Sequence, residues 1–130
     1  TIVFNFGMHD ISETTEHVAL SRYVDNMRRV AALLRRHTAD LVWVTTTPVP
    51  NKHSRPRRTQ CDVLRYNDAM AKLVHEVNVT TVDMFSFMNT RCAAGLFYDS
   101  CALQIPGDVH FTPQGYEQMA DVLGAQLFTR

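Results

Sequence analysis

The sequence lacks several features that would point to a nucleic-acid or membrane partner. Thirteen basic and thirteen acidic residues cancel, so no overall field attracts nucleic acid or an anionic membrane. No apolar run approaches the roughly 20 residues that span a bilayer, and no signal peptide, internal repeat or low-complexity tract is recognisable. The sequence therefore predicts a globular protein that binds neither nucleic acid nor membrane.

The size and composition are those of one soluble domain. The chain has 130 residues, of which 45% are hydrophobic and 20% are charged. That length suffices for one core and is too short for two, so residues 1–130 are expected to form a single domain. The sequence opens at Thr1 directly on a strand pattern, without a methionine or a lead-in. We therefore expect the domain to continue upstream and to be incomplete here at its N-terminus.

Apolar periodicity predicts alternating strands and helices. Strands are expected at residues 1–6, 41–47 and 79–84, and helices at residues 17–37, 61–77, 85–92 and 112–129. The first strand, rich in Ile, Val and Phe, is expected to be buried on both faces. This order is typical of a three-layer α/β/α fold with a parallel sheet, whose working site lies beyond the carboxyl ends of the strands. A sheet without its first strands would expose an apolar edge, which predicts self-association.

The three cysteines leave open the redox state and the compartment. Cys92 and Cys101 are close enough in sequence to bridge a loop, whereas Cys61 lies elsewhere. Free thiols are the alternative for all three. Residues 78–80, Asn-Val-Thr, form a glycosylation sequon, which matters only in a secreted protein. A secreted or extracytoplasmic location is weakly favoured.

Two polar clusters are candidates for the working site. Asp108 and His110 lie on a short loop directly before the last predicted helix, and residues 7–10, Gly-Met-His-Asp, directly follow the first strand. An imidazole on a loop beside a carboxylate is how a general base is presented. Asp108 has the alternative interpretation of a turn residue after Pro106-Gly107, in which case a backbone carbonyl would orient His110.

Two other groups of residues have simpler interpretations. Residues 45–47 are threonines, which belong in a strand because they are β-branched. Lys52, Arg55, Arg57 and Arg58 are interpreted as a solvated charge run, since surface Lys and Arg are common.

Several motifs resemble the SGNH (GDSL-type) hydrolases, a flavodoxin-like family of serine esterases and carbohydrate acetylesterases. Residues 108–116, Asp-Val-His-Phe-Thr-Pro-Gln-Gly-Tyr, resemble the last block of the family. Residues 7–10 resemble its Gly-x-Asn-Asp turn with histidine in place of asparagine, and residues 43–50 and 66–67 resemble its fourth strand and the start of the next helix. The Gly-Asp-Ser block with the nucleophile and the second-block glycine are absent. The resemblance thus implies the C-terminal portion of an SGNH domain.

The resemblance implies roles for four residues. His110 would take the proton from the serine and return it to the leaving alcohol, and Asp108 would hold the imidazole in the required tautomer. The acid of the family lies three residues before the histidine, where this sequence has Gly107. Gly7 and His9 would donate N–H groups to the oxyanion. No metal or organic cofactor is implied.

Three functional hypotheses follow from these residues. The leading one is a serine-type ester hydrolase that forms an acyl-enzyme from a small-molecule or carbohydrate ester, its nucleophile supplied by the missing N-terminal segment. A catalytically inactive binding module on the same fold is the first alternative, because histidine replaces asparagine and glycine replaces the acid. A metal-dependent hydrolase using His9, Asp10, Asp108 and His110 is the second, although no ligand-spaced motif is present.

Overall fold

Strand β2 (Leu41–Val44) is the centre of a parallel sheet. The computed structural model describes residues 1–50, 55–92 and 101–128. In them, β1 (Ile2–Phe4) and β3 (Thr80–Val82) flank β2 in the order β1-β2-β3, with Ile2 opposite Leu41 and Val42 opposite Thr80. The helices are α1 (Leu20–Arg35), α2 (Gln60–Glu76), α3 (Met84–Arg91) and α4 (Pro113–Phe128).

Alternate residues of β2 belong to two different hydrophobic layers. Leu41 and Trp43 pack in a cluster with residues of α1 and α2. Val42 and Val44 pack with α3, with α4 and with the segment before α4. Because helices cover both faces, β2 is apolar at every position rather than at every second one. The predicted three-layer α/β/α fold with a parallel sheet is confirmed.

Strand β1 does not match the expectation of burial on both faces. Only Phe4 is buried, whereas Ile2 is half-buried and Val3 is 38% exposed. Among the described residues β1 pairs with β2 alone, so its other edge has no neighbouring strand. The prediction of a strand buried on both faces is therefore wrong for this part of the chain.

The helices lie within three residues of the predicted boundaries. The buried residues of α1 are spaced one turn apart, at Tyr23, Met27 and Ala31. This helix begins later than predicted because the residues before it form a loop in which Val18 donates its N–H to the Asp10 carbonyl. Thr59 caps α2 by accepting a hydrogen bond from the Asp62 amide. Within the described part of the chain, no helix has the length and apolar character needed to cross a membrane.

A disulfide joins Cys92, directly after α3, to Cys101. The sequence left open whether these two cysteines bridge or stay free, and the free-thiol alternative is wrong for both. Cys61 is a free thiol, as that alternative expected, and it is exposed. The bridge fastens the segment before α4 to the end of α3, and residues 93–100 between the two cysteines lie outside the described residues.

Candidate active site

The residues that follow β1 form a turn (residues 7–10, the β1 turn) that requires glycine at its first position. Gly7 has φ of +135°, and a Cβ there would lie 2.6 Å from Thr46 Oγ1. The preceding carbonyl, of Phe6, accepts hydrogen bonds from the Tyr23 hydroxyl at 2.9 Å and the Thr46 hydroxyl at 3.2 Å. Burial raises the pKa of Tyr23 well above its usual range, so this phenol stays a donor. A side chain of α1 and a side chain of the segment after β2 therefore hold the β1 turn in place.

His9, the third residue of the β1 turn, presents its side chain to solvent. The side chain is 83% exposed, and its Nδ1 lies 3.9 Å from Glu16 Oε2. The His9 carbonyl accepts hydrogen bonds from the Ser12 amide at 3.1 Å and from the Ser12 hydroxyl at 2.8 Å. The buried Ser12 thus stabilises the turn, and a neutral His9 ring retains an N–H that can be donated.

The second cluster lies on a tight hairpin (residues 103–112, the His110 hairpin). Gln104 and Phe111 form an isolated antiparallel bridge. The Ile105 amide donates to the His110 carbonyl at 2.9 Å, and the Asp108 amide donates to the Ile105 carbonyl at 3.0 Å. These local hydrogen bonds bring Asp108 and His110 to the tip of the hairpin, where the sequence predicted an exposed loop.

Asp108 and His110 are in direct contact. The carboxylate Oδ1 lies 2.7 Å from Nδ1 of the imidazole and also accepts the His110 backbone N–H at 3.1 Å. These bonds from His110 hold the pKa of Asp108 below its usual range. The His110 side chain is 66% exposed, and no described residue hydrogen-bonds its Nε2. An imidazole that donates Nδ1–H to a carboxylate carries a lone pair on Nε2, so it is chemically able to accept a proton.

The residues that follow the hairpin explain the rest of the local motif. Thr112 Oγ1 accepts a hydrogen bond from the Gly115 amide at 3.2 Å, at the start of α4. A Cβ at Gly115 would lie 2.5 Å from the Leu103 carbonyl oxygen. The absence of a side chain there lets α4 begin directly against the hairpin. Thr112 and Gly115 are therefore structural parts of the motif.

Arg58 does not belong to a solvated charge run, as the sequence suggested, but is buried. It is 5% exposed and donates from Nε to the Met8 carbonyl at 2.6 Å. Arg57, the preceding residue, does behave as predicted, since its side chain is 66% exposed and lies 3.6 Å from Glu13. Two adjacent arginines have opposite environments, and no local pattern distinguishes them. Lys52 lies outside the described residues.

Gln104 is a second buried polar residue that sequence reasoning missed. Its Nε2 donates to the Pro48 carbonyl at 3.2 Å and to the Val109 carbonyl at 3.3 Å. The amide thereby joins the loop after β2 to the His110 hairpin. Val109 and Met8 also pack against the same hydrophobic cluster, so the hairpin and the β1 turn share one layer of the core.

The threonines that follow β2 do more than form a strand. Thr45 Oγ1 accepts the Phe85 amide at 2.8 Å, at the start of α3. Asn67 pairs with the backbone of Thr46 in both directions, accepting its N–H at 2.9 Å and donating to its carbonyl at 2.8 Å. Strand β2 ends at Val44. The Thr45 N–H still donates to the Val82 carbonyl of β3 at 3.1 Å, but the Thr46 backbone bonds to a side chain, so the strand predicted through residues 45–47 is wrong.

The residues of the metal-dependent alternative do not form a ligand cluster. Among residues 1–50, 55–92 and 101–128, no group of three or more His, Cys, Asp or Glu could hold a metal ion. His9 approaches Glu16, and His110 approaches Asp108. No hydrogen bond joins these two pairs.

The parallel sheet with helices on both faces matches the SGNH hydrolase-like α/β/α fold. The chain belongs to the GDSL-like lipase/acylhydrolase family, whose model matches residues 1–118. No curated protein sequence matches it.

Two solved structures are similar in fold. A lipase/acylhydrolase from Enterococcus faecalis matches with a TM-score of 0.75 and 17% identity over 96% of this chain and 59% of its own. An acetylxylan esterase from Geobacillus stearothermophilus matches with a TM-score of 0.70 and 16% identity over 93% of this chain and 56% of its own. Variants of this esterase that replace a serine, an aspartate or a histidine are described as catalytic mutants. The chain thus spans less than two thirds of the length of either protein.

Proposed function

We propose that this chain supplies the general base and the oxyanion turn of a serine-type ester hydrolase. The observation that carries the proposal is the 2.7 Å contact between Asp108 Oδ1 and His110 Nδ1. This contact leaves Nε2 as the nitrogen that would accept the proton of a nucleophile. His110 would take the proton of a serine hydroxyl as an acyl-enzyme forms and give it to the leaving alcohol. It would then activate the water that hydrolyses the acyl-enzyme.

Asp108 contacts the His110 ring although its spacing from the histidine differs from that of the similar esterase. In the Geobacillus esterase the replaced aspartate and histidine lie three positions apart, whereas Asp108 and His110 lie two apart. The position three before His110 is Gly107, whose φ of +72° is in the left-handed region that favours glycine. A carboxylate one residue later reaches the ring from the same turn, so the triad geometry does not need an acid at position 107.

The β1 turn would bind the oxyanion of the tetrahedral intermediate. Gly7 would offer its backbone N–H, since the lack of a side chain permits close approach of a substrate. His9 would donate a ring N–H in place of the asparagine of the family, which its exposure of 83% allows. Loss of one such donor lowers kcat by roughly 10²- to 10³-fold.

We place the nucleophilic serine in a segment outside these residues. Both similar structures extend well beyond the region they share with this chain, which covers 59% and 56% of them. Ser12, which lies two residues after the β1 turn, is buried and donates its hydroxyl to the His9 carbonyl. This hydroxyl stabilises the turn, so Ser12 is not a good candidate for the nucleophile.

The proposed substrate is a small-molecule or carbohydrate ester, such as an acetylated sugar. The support is that the similar structures are named a lipase/acylhydrolase and an acetylxylan esterase. The disulfide between Cys92 and Cys101 supports a secreted or extracytoplasmic location, because such bonds persist in oxidising compartments. The mechanism needs no cofactor, and neither nucleic acid nor membrane is a proposed partner.

Labelling with a fluorophosphonate probe, followed by mass spectrometry, tests the proposal. The probe is applied to the 130-residue chain, to a version extended upstream, and to extended His110→Ala and His75→Ala variants. We expect a labelled serine only in the extended protein, lost in His110→Ala and retained in His75→Ala, since His75 is an exposed residue of α2. A labelled serine within these 130 residues would contradict the proposed origin of the nucleophile.

A catalytically inactive binding module remains the second candidate. The observation that favours it is the His9 side chain, which replaces the expected asparagine and approaches Glu16 instead of the His110 hairpin. Acetylester hydrolysis by the extended protein and by its His9→Asn variant separates the two functions. Activity that appears only in His9→Asn supports the inactive module, whereas activity in the unmodified protein supports the esterase.

A further inference from the structure

Arg58 is a buried cation that contacts the β1 turn. It lies directly before Thr59, the cap of α2, and it is 5% exposed. Its Nε donates to the Met8 carbonyl at 2.6 Å, and its Nη1 donates to the Pro56 carbonyl at 3.1 Å. A buried charge is costly unless its donors are satisfied and opposite charges lie nearby. The position of those opposite charges is therefore informative.

The His110 hairpin lies beside the same part of the β1 turn, because Met8 and Val109 pack against one hydrophobic cluster, and the hairpin carries an opposite charge. Burial lowers the pKa of Arg58, while the carboxylates of Asp108 and Glu16 act in the opposite direction. Asp108 in turn faces the His110 ring and accepts the backbone N–H of His110. The guanidinium thus has a hydrogen bond to the β1 turn and an electrostatic attraction to the His110 hairpin.

We propose that Arg58 is a positioning residue that couples the β1 turn to the His110 hairpin. Its hydrogen bond fixes the Met8 carbonyl, and with it the plane of the peptide that joins Met8 to His9. Its charge attracts the Asp108 carboxylate that orients His110. Arginine suits both tasks because it keeps its charge when buried and offers several donors in a fixed plane. The catalytic meaning of the coupling rests on the proposed esterase function, whereas the coupling itself does not.

The electrostatic part of the coupling is tested without any substrate. The side-chain carboxyl of Asp108 is titrated by ¹³C NMR in the natural full-length protein and in its Arg58→Gln, Arg58→Lys and Arg57→Gln variants. We expect Arg58→Gln to move the titration midpoint of Asp108 upward by a few tenths of a pH unit, because a nearby positive charge is lost. Arg58→Lys keeps the charge, and Arg57→Gln removes an exposed one of the same loop, so neither should move it.

The same variants test the positioning part through turnover of a small acyl ester. Displacement of a catalytic group by about 1 Å costs up to roughly 100-fold in rate. We therefore expect Arg58→Gln to lower kcat by roughly 10- to 100-fold with little change in KM. We expect Arg58→Lys to restore most of the rate and Arg57→Gln to keep it.

The two measurements separate failure of the coupling from failure of the esterase proposal. An Asp108 midpoint that is equal in Arg58→Gln and the unmodified protein overturns the coupling, whatever the activity. An upward shift in a protein without esterase activity supports the coupling and contradicts the proposed function. If Arg58→Gln does not fold, Arg58→Lys decides, because a folded lysine variant with a shifted Asp108 midpoint overturns the proposal.

Discussion

The β1 turn and the His110 hairpin are held in place by different kinds of contact. The β1 turn depends on side chains that are distant in sequence, with Tyr23 and Thr46 bonding the Phe6 carbonyl and Arg58 bonding Met8. The His110 hairpin depends on its own backbone hydrogen bonds, and the disulfide tethers the segment that leads into it. Ser12 also bonds His9 locally, and Gln104 links the hairpin to Pro48. The β1 turn nevertheless takes more of its anchoring side chains from distant parts of the chain, whereas the tip of the hairpin is held mainly by its own backbone.

Replacing Gly7 tests the dependence of the β1 turn on distant residues. Gly7→Ala would place a Cβ 2.6 Å from Thr46 Oγ1 at a residue with φ of +135°. Strain and overpacking of this kind lower the free energy of unfolding by about 3 kcal/mol, which chemical denaturation measures. Gly124→Ala is the matched control, because a Cβ there meets open space in α4, and it should stabilise the protein by about 0.5–1 kcal/mol. A Gly7→Ala variant as stable as the unmodified protein would refute this account of the turn.

Removing the disulfide tests the tether of the His110 hairpin. The bridge joins cysteines nine residues apart, and closing so short a loop stabilises a fold by about 2–3 kcal/mol. The double variant Cys92→Ser with Cys101→Ser should lose that stability, with faster amide hydrogen exchange in the hairpin than in the β1 turn. Cys61→Ser should change neither quantity, because Cys61 is exposed and unpaired. Equal acceleration of exchange in both loops would contradict the contrast between them.

The smallest expected effect concerns the ionisation of Asp108. Hydrogen bonds from His110 hold the pKa of this carboxyl below its usual range. The pairing therefore stabilises the folded protein at pH above the ordinary aspartate pKa, and that contribution is lost as pH falls through the lowered value. In His110→Ala the ring is lost while the backbone N–H bond remains, so the pKa of Asp108 should rise part of the way towards its ordinary value. An Asp108 titration by NMR that is identical in both proteins would show that the ring contact is absent in solution.

The regular elements were predictable because they depend on local periodicity. The spacing of Tyr23, Met27 and Ala31 marks α1, and the continuous apolar run from Leu41 marks a strand covered on both faces. The pair Asp108 and His110 was also predictable, because a turn brings residues two apart into contact. In each case the residues that form the sequence pattern lie within one element or one turn.

The remaining features depend on contacts that no local pattern contains. Arg57 and Arg58 are chemically identical neighbours, yet only Arg58 is buried, because the Met8 carbonyl lies beside it. The bond between Gln104 and Pro48 spans 56 positions of sequence. The threonines after Val44 have high strand propensity, but the Thr46 backbone bonds to the Asn67 side chain and the Thr45 hydroxyl bonds to the start of α3. Tertiary bonding overrides strand propensity there.

The double contact of Asp108 with His110 has a consequence for the conformational entropy of the histidine side chain. One oxygen accepts both the ring Nδ1 and the backbone amide of the same histidine. Donor and acceptor therefore belong to a single three-residue unit, whose internal geometry is unchanged when the hairpin moves as a body. The rotational freedom of the imidazole is reduced once, during folding, so in the proposed esterase a substrate that arrives later would meet a base already oriented.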